Sequence, residues 1–204
     1  MGYIGIIDFK SNNSKAVLNV VKSLGFNAKL VTSGHQILGA DRLIIPGVGH
    51  ISSIVDEMDA LELRSPISEF TSRGNFLLGI CLGQHLLGSG SEESFSSKTL
   101  GILDFKVNRL PTNLDVGLRV PHVGWNSITI IKKHPLFESI PDGSDFYFSH
   151  SFAITAPTDN SLAMTEHSVL FCSVAGGDNV FSVQFHPEKS QKVGLRLLSN
   201  FCNL

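Results

Sequence analysis

Cysteine is scarce in this 204-residue chain: Cys81, Cys172 and Cys202 lie far apart, with no CxxC pair. That spacing argues against a metal knuckle and a disulfide framework, and it fits a reducing compartment. There is also no excess of either charge. The 16 basic and 18 acidic residues leave a net charge of −2. Nothing therefore points to a nucleic-acid or anionic-membrane partner. No apolar run approaches the length of a membrane span. Asp8 and Lys10 interrupt the first apolar stretch too early for a signal peptide. No internal repeat is present. The expectation is a soluble cytoplasmic protein, one domain over residues 1–204, able to bury a core without disulfide staples.

What the chain does carry is alternation. Apolar runs over residues 3–7, 27–31, 42–45 and 76–80 read as buried strands. Between them, residues 14–24 set Val17, Leu18, Val21 and Leu24 at helical spacing ahead of Gly25. Residues 51–73 are helical in two pieces, broken before Pro66. This rhythm predicts an α/β fold with a mostly parallel central sheet and helices on both faces. Beyond about residue 100 it changes to strands joined by loops, over 102–110, 118–120, 127–131, 146–148, 152–155, 162–165, 169–174 and 180–184. A smaller mixed or antiparallel portion is therefore expected in the C-terminal half, closed by a helix over 191–201.

One stretch organises the chemistry. Leu77-Leu78-Gly79-Ile80-Cys81-Leu82-Gly83 ends a strand in a Gly-x-Cys-x-Gly turn, and a helical pattern follows from Gln84. A side chain on so tight a strand-to-helix turn sits on strained backbone, and its neighbours two positions away must be small. The helix start behind the sulfur favours a thiolate. Cys81 is thus the candidate nucleophile. Cys172 and Cys202 read as small buried hydrophobes.

A nucleophilic cysteine needs a base, and the base an orienter. His186 stands where an apolar strand ends, in Val183-Gln184-Phe185-His186-Pro187-Glu188-Lys189. Pro187 biases His186 toward extended backbone, in which Glu188 points the same way and fixes the imidazole. His85 is a rival base, poorly aligned because Cys81 is in the turn. His150 is a second rival, read as lining the site. His35, His134 and His167 read as solvated loop residues. Pro46-Gly47-Val48-Gly49 follows another strand and can present N–H groups. Such an N–H, with that of Leu82, makes an oxyanion hole. The reaction expected is acyl transfer from a carboxamide or ester to Cys81 through a thioester. Taken alone, Ser91-Glu92-Glu93 is a solvated loop, the Trp125 motif is hairpin packing, and Asp56-Glu57-Met58-Asp59 is an exposed helix face.

Gly79-Ile80-Cys81-Leu82-Gly83 together with Gln184-Phe185-His186-Pro187-Glu188 resembles the class I (triad) glutamine amidotransferases. Five further segments are similar to the glutaminase subunits of imidazole glycerol phosphate synthase. They are Pro46-Gly47-Val48-Gly49-His50, Ser91-Glu92-Glu93, Pro121-His122-Val123-Gly124-Trp125-Asn126, Tyr147-Phe148-Ser149-His150-Ser151-Phe152 and His186-Pro187-Glu188-Lys189-Ser190. The likeness runs nearly end to end and in order. It implies Cys81 as nucleophile, His186 as general base and Glu188 as orienter, with Val48, Gly49 and Leu82 framing the oxyanion hole. It implies glutamine as substrate, seated by Gly47, Gln84 or His85, Glu92 and the His150-Ser151-Phe152 backbone. No cofactor or metal is implied. The implied partner is a barrel-shaped synthase (cyclase) in a heterodimer, faced by Lys10, Asn12, Asn13, Trp125, Asn126 and Lys189. Ammonia would pass to it and meet a phosphoribosyl intermediate, giving imidazole glycerol phosphate and a carboxamide ribotide.

Two departures stand out. The family usually places Gln four residues after the nucleophile. In this chain Gln84 comes three residues after and His85 four, a displacement of ~100° on a helix. The loop that usually reads Asp-Tyr-Gly-x-Gly-Asn is Asp8-Phe9-Lys10-Ser11-Asn12-Asn13, which predicts a diverged pairing surface. Two other readings stand beside the main one: an ammonia-supplying subunit for a sugar amidotransferase of surface-polysaccharide synthesis, and a non-catalytic scaffold subunit.

Overall fold

The computed structural model describes residues 2–9, 13–112 and 119–204. The apolar runs of the first half form β1 (Ile4–Ile7), β2 (Ala28–Val31), β3 (Arg42–Gly47) and β4 (Phe76–Cys81). They alternate with α1 (Ser14–Ser23), α2 (Gly34–Leu38), α3 (Ile51–Ala60) and α4 (Arg64–Ser72), and α5 (Leu82–Leu87) leaves β4 directly. The second half holds β5 (Gly90–Ser91), β6 (Lys106–Arg109), β7 (His122–Ser127), β8 (Thr129–Ile130), β9 (Asp145–His150) and β10 (Phe152–Ala153). It continues with β11 (Ser161–Glu166), β12 (Leu170–Gly177) and β13 (Val180–Val183), and ends in α6 (Gln191–Asn203).

One eight-stranded sheet runs β2-β1-β3-β4-β13-β12-β11-β8. Its members from β2 to β13 pair in parallel, and the rest pair antiparallel. A three-stranded sheet, β10-β6-β5, and a two-stranded ribbon, β7-β9, accompany it. The central strands are covered on both faces, which is why their sequences are apolar at nearly every position. Ile44, Leu78 and Ile80 pack with Val17 and Val21 of α1 and with Leu197, Leu198 and Phe201 of α6. On the other face Leu43, Ile45 and Leu77 pack with α3, α4 and α5 through Ile54, Met58, Ile67, Phe70 and Leu86. Among the described residues no helix is long and apolar enough to cross a membrane.

Several boundaries differ from the sequence reading. The helix α2 has a single buried side chain, Ile37, so it offers no periodicity to read. The strand β3 continues through Pro46 and Gly47, because Gly47 still pairs with Cys81. The helical run over 51–73 does break before Pro66, at a corner where Glu62 takes φ 54°. Pro66 itself falls in the first turn of α4, where its missing N–H costs little. Of residues 102–110 only β6 is strand. The run expected over 127–131 divides, since residues 122–127 find a full ladder with β9 while β8 joins the main sheet. Of the strand expected over 118–120, Leu118 lies outside the described residues and the remainder is not strand.

The parallel register sets the C-terminal ends of β3, β4 and β13 side by side, Gly47 opposite Cys81 and Ile80 opposite Val183. α5 starts so close to the sheet that a Cβ on Gly83 would stand 2.0 Å from the Ile45 carbonyl oxygen. Gly83→Ala is therefore expected to lower the urea-unfolding free energy by about 3 kcal/mol. Gly90→Ala, where an added Cβ meets nothing within 4 Å, should stay within about 0.5 kcal/mol.

Candidate active site

β4 delivers Cys81 to the sheet edge with φ 54° and ψ −107°, the strained corner that the Gly-x-Cys-x-Gly spacing predicts. Beside it, β13 runs out into Gln184-Phe185-His186. The His186 N–H donates to the Tyr147 carbonyl at 2.8 Å. Ser190 Oγ donates to the His186 carbonyl at 2.6 Å and accepts from the Tyr147 N–H at 2.9 Å. These bonds pin the histidine loop to β9.

The Cys81 sulfur lies close enough to the His186 ring to act on its charge, and the ring's Nδ1 stands 2.9 Å from Glu188 Oε1. The His186 and Glu188 side chains are 3% and 1% exposed. Glu188 comes round on a 3-10 turn, Pro187–Lys189. A tight turn, rather than the expected strand alternation, brings the carboxylate back to the ring. Asn13, expected at the partner interface, donates its side-chain N–H to the same Glu188 oxygen at 2.8 Å. Burial opposes charge on His186, but the Cys81 sulfur and the Glu188 carboxylate outweigh it and raise its pKa to about 10. The imidazolium is therefore the form this pair supports at neutral pH.

Cys81 and His186 open into a cavity of about 270 Å³. That lies just below the roughly 300–1,000 Å³ of drug-sized sites and suits a small metabolite. Val48, Gly49 and Leu82 line it, as do His85, His150, Ser151 and Phe152. Three residues expected to touch substrate do not line this cavity. Gly47 lies beneath the elbow, where an added Cβ would be 2.8 Å from Leu82 Cβ; it makes room for the turn. Gln84 is buried and donates to Ser182 Oγ at 3.2 Å. Because α5 begins at Leu82, the ~100° step per residue turns position 84 toward β13 and position 85 into the cavity. Glu92 is exposed and accepts from the Arg109 N–H at 2.8 Å. Its neighbour Glu93 lines the cavity and accepts from the Ile51 N–H at 3.0 Å. Burial pushes the Glu93 pKa up.

The sequence reading missed two contacts to the sulfur. Gln184 Nε2 lies 3.9 Å from Cys81 Sγ, and the Ser149 carbonyl 4.0 Å from it. The signal for Gln184 was its place two residues before His186, on the same side of extended chain.

The other histidines resolve by environment. His150 donates from Nδ1 to the Phe152 carbonyl at 2.9 Å and accepts from His122 Nδ1 at 3.0 Å. Burial first, then the neighbouring His122, holds its pKa well below the usual value. Burial likewise lowers His85 to about 4. His134 and His167 are not simply solvated: His134 packs against Phe181, and His167 stacks on His122 at 4.1 Å. Cys172 and Cys202 are buried, and burial raises their thiols to about 11 and 12. Of the expected partner-facing residues, Trp125 is 48% exposed and meets Tyr147 edge-on. Asn126 donates to the Glu166 carbonyl at 2.8 Å. Lys189 is exposed at the cavity mouth, 5.8 Å from the Tyr147 ring centroid. Lys10 and Asn12 lie outside the described residues.

Comparison with known proteins bears on the same chain. Residues 5–203 match the family model described as glutamine amidotransferase class-I. The chain is 40% identical over 200 residues to the imidazole glycerol phosphate synthase subunit HisH of Dehalococcoides mccartyi (strain CBDB1), covering 97% of this chain and 95% of that protein. It is 40% identical over 207 residues, the whole of both chains, to the HisH subunit of Methanosarcina barkeri (strain Fusaro / DSM 804). A solved structure described as a glutamine amidotransferase superposes with a TM-score of 0.76 at 19% identity, over 99% of this chain and 98% of that one. That likeness speaks to the fold. The chain belongs to the class-I glutamine amidotransferase family, and its full-length sequence likeness is to the HisH subunits.

Proposed function

We propose that this protein is a glutaminase subunit in which Cys81, His186 and Glu188 hydrolyse glutamine through a thioester. The supporting observation is their meeting at one cavity: a cysteine on a strained turn, a histidine lining the same cavity, and a carboxylate 2.9 Å from the histidine's Nδ1. Cys81 Sγ attacks the substrate's carboxamide carbon. The resulting oxyanion is met by the Leu82 N–H and by N–H groups of the Val48-Gly49 turn. His186 gives a proton to the departing nitrogen, ammonia leaves, and the acyl group stays on sulfur. Water then attacks the thioester and passes a proton to His186. The C–S bond breaks, glutamate departs, and the thiolate–imidazolium pair is restored. Glu93 is placed to take the substrate's α-ammonium group. One domain over residues 1–204 carries all of these groups, and no step calls for a cofactor or metal.

Ammonia then passes to a synthase partner. The relatives' name, imidazole glycerol phosphate synthase subunit, favours the histidine pathway over a sugar amidotransferase. The assembled triad speaks against a non-catalytic scaffold. We read the partner as a barrel-shaped cyclase forming a heterodimer in the cytoplasm. It would cover the β7-β9 ribbon, where Val123 and Trp125, two residues apart on one face, are 57% and 48% exposed.

Cys81→Ala should abolish glutamine hydrolysis in a steady-state assay; hydrolysis above background would remove Cys81 as nucleophile. The same variant loses the sulfur that helps raise His186. Its ring should then titrate below about 10, moving toward the ordinary ~6.5, as followed by NMR. Asn13→Ala leaves Glu188 Oε1 with His186 as its remaining partner among the described hydrogen bonds. A fall in kcat of about tenfold at constant KM is expected, and an unchanged kcat would take Asn13 out of the machinery.

A further inference from the structure

His85 and Gln184 form a connection to the sulfur that the triad does not use. His85 is 3% exposed and Gln184 is fully buried. His85 Nε2 stands 3.0 Å from Gln184 Oε1, and Gln184 Nε2 stands 3.9 Å from Cys81 Sγ. A carbonyl oxygen only accepts, so His85 Nε2 carries a proton and donates it. The bonds then run one way, from the imidazole to the amide oxygen and from the amide nitrogen to the sulfur. With the amide turned over, its oxygen would face a thiolate, two electron-rich atoms in contact. The Gln184 main chain is held by its own N–H, which donates to the Ser173 carbonyl at 2.9 Å. What remains to be set is the rotation of the amide.

We propose that His85 is a positioning residue: it turns the Gln184 amide so that its NH₂ group donates to the Cys81 sulfur and supports the thiolate. The proposal rests on Cys81 being the nucleophile. A donor to an anion forms a charge-assisted bond, stronger than a neutral one. Its value is greatest when sulfur carries charge, before attack and again when it leaves the acyl carbon. The titratable groups around the sulfur come from several elements. His186, with Glu188 behind it, and Lys189 lie after β13, His85 lies on α5, His150 on β9, and Glu93 after β5. Because burial keeps the His85 ring neutral, replacing it with a neutral side chain changes no charge in this set.

The test is the pH dependence of Cys81 alkylation by iodoacetamide in the full-length chain, with the labelled site read by mass spectrometry and folding checked by thermal unfolding. His85→Leu keeps bulk but removes the donor. It should raise the midpoint by about one pH unit, a tenfold loss of thiolate below the midpoint. His85→Gln offers an N–H that reaches the Nε2 position, and should return the midpoint to within about 0.3 units of the wild-type value. Gln184→Leu should shift it as His85→Leu does, and the double variant should shift it no further, since both act through one contact. An unmoved midpoint in folded His85→Leu, or shifts that add in the double variant, overturns the proposal. If His85→Leu fails to fold, an unmoved midpoint in Gln184→Leu does the same. Cys81→Ala separates the two readings. Hydrolysis that survives in it overturns the triad itself. Hydrolysis lost there, with the midpoint unmoved by His85→Leu, overturns this proposal alone.

Discussion

A Cβ on Gly83 would lie 2.0 Å from the Ile45 carbonyl oxygen, and one on Gly79 2.6 Å from the Gly83 carbonyl oxygen. Only hydrogen fits at either place. That close approach lets α5 start directly from β4 and forces Cys81 into a positive φ, a conformation that costs roughly 1–3 kcal/mol. Packing of Leu82, Leu86 and Leu87 into the core on that face of the sheet offsets the strain. With the turn held, the sulfur stands at the sheet edge, and the parallel register brings the end of β3 and the loop after β13 to it. The Val48-Gly49 turn, Cys81 and His186 are thus brought together by strand pairing.

Three histidines share the cavity, and their environments push them apart. His186 has the Cys81 sulfur and a buried carboxylate beside it, and these outweigh burial. His85 and His150 are buried with neutral or histidine neighbours, so burial dominates and both stay uncharged. One imidazole is thus favoured in its charged form while the other two stay neutral and hold hydrogen bonds. Glu188 is in turn held by Asn13, the residue that precedes α1.

The strained turn at Cys81 was legible because its requirement is local. Two small residues flanking Cys81 after an apolar run are written within a few positions of one another. The contact between His186 and Glu188 was legible for the same reason, although a 3-10 turn brings them together where extended chain was expected. The alternation that predicts a parallel sheet was equally plain, because strands buried on both faces must be apolar throughout. The choice between adjacent residues was not legible. Glu93, not Glu92, faces the cavity, and His85, not Gln84, does so on α5. Each choice depends on the angle at which a short element leaves the sheet, and no periodicity over two to six residues records that angle.

The sequence by itself determined the strand-to-helix turn at Cys81, the pairing of His186 with Glu188, the parallel α/β core and the family, because each is carried by residues close together in the chain or by a pattern repeated along it. Only the tertiary structure decided that Asn13 reaches Glu188, 175 positions away, and that His85 and Gln184 meet beneath Cys81. Hydrogen bonds between distant segments require two backbones to be placed to within an ångström. That placement comes from the packing of α1, β4, α5 and β13 on one sheet, to which no local stretch of sequence corresponds.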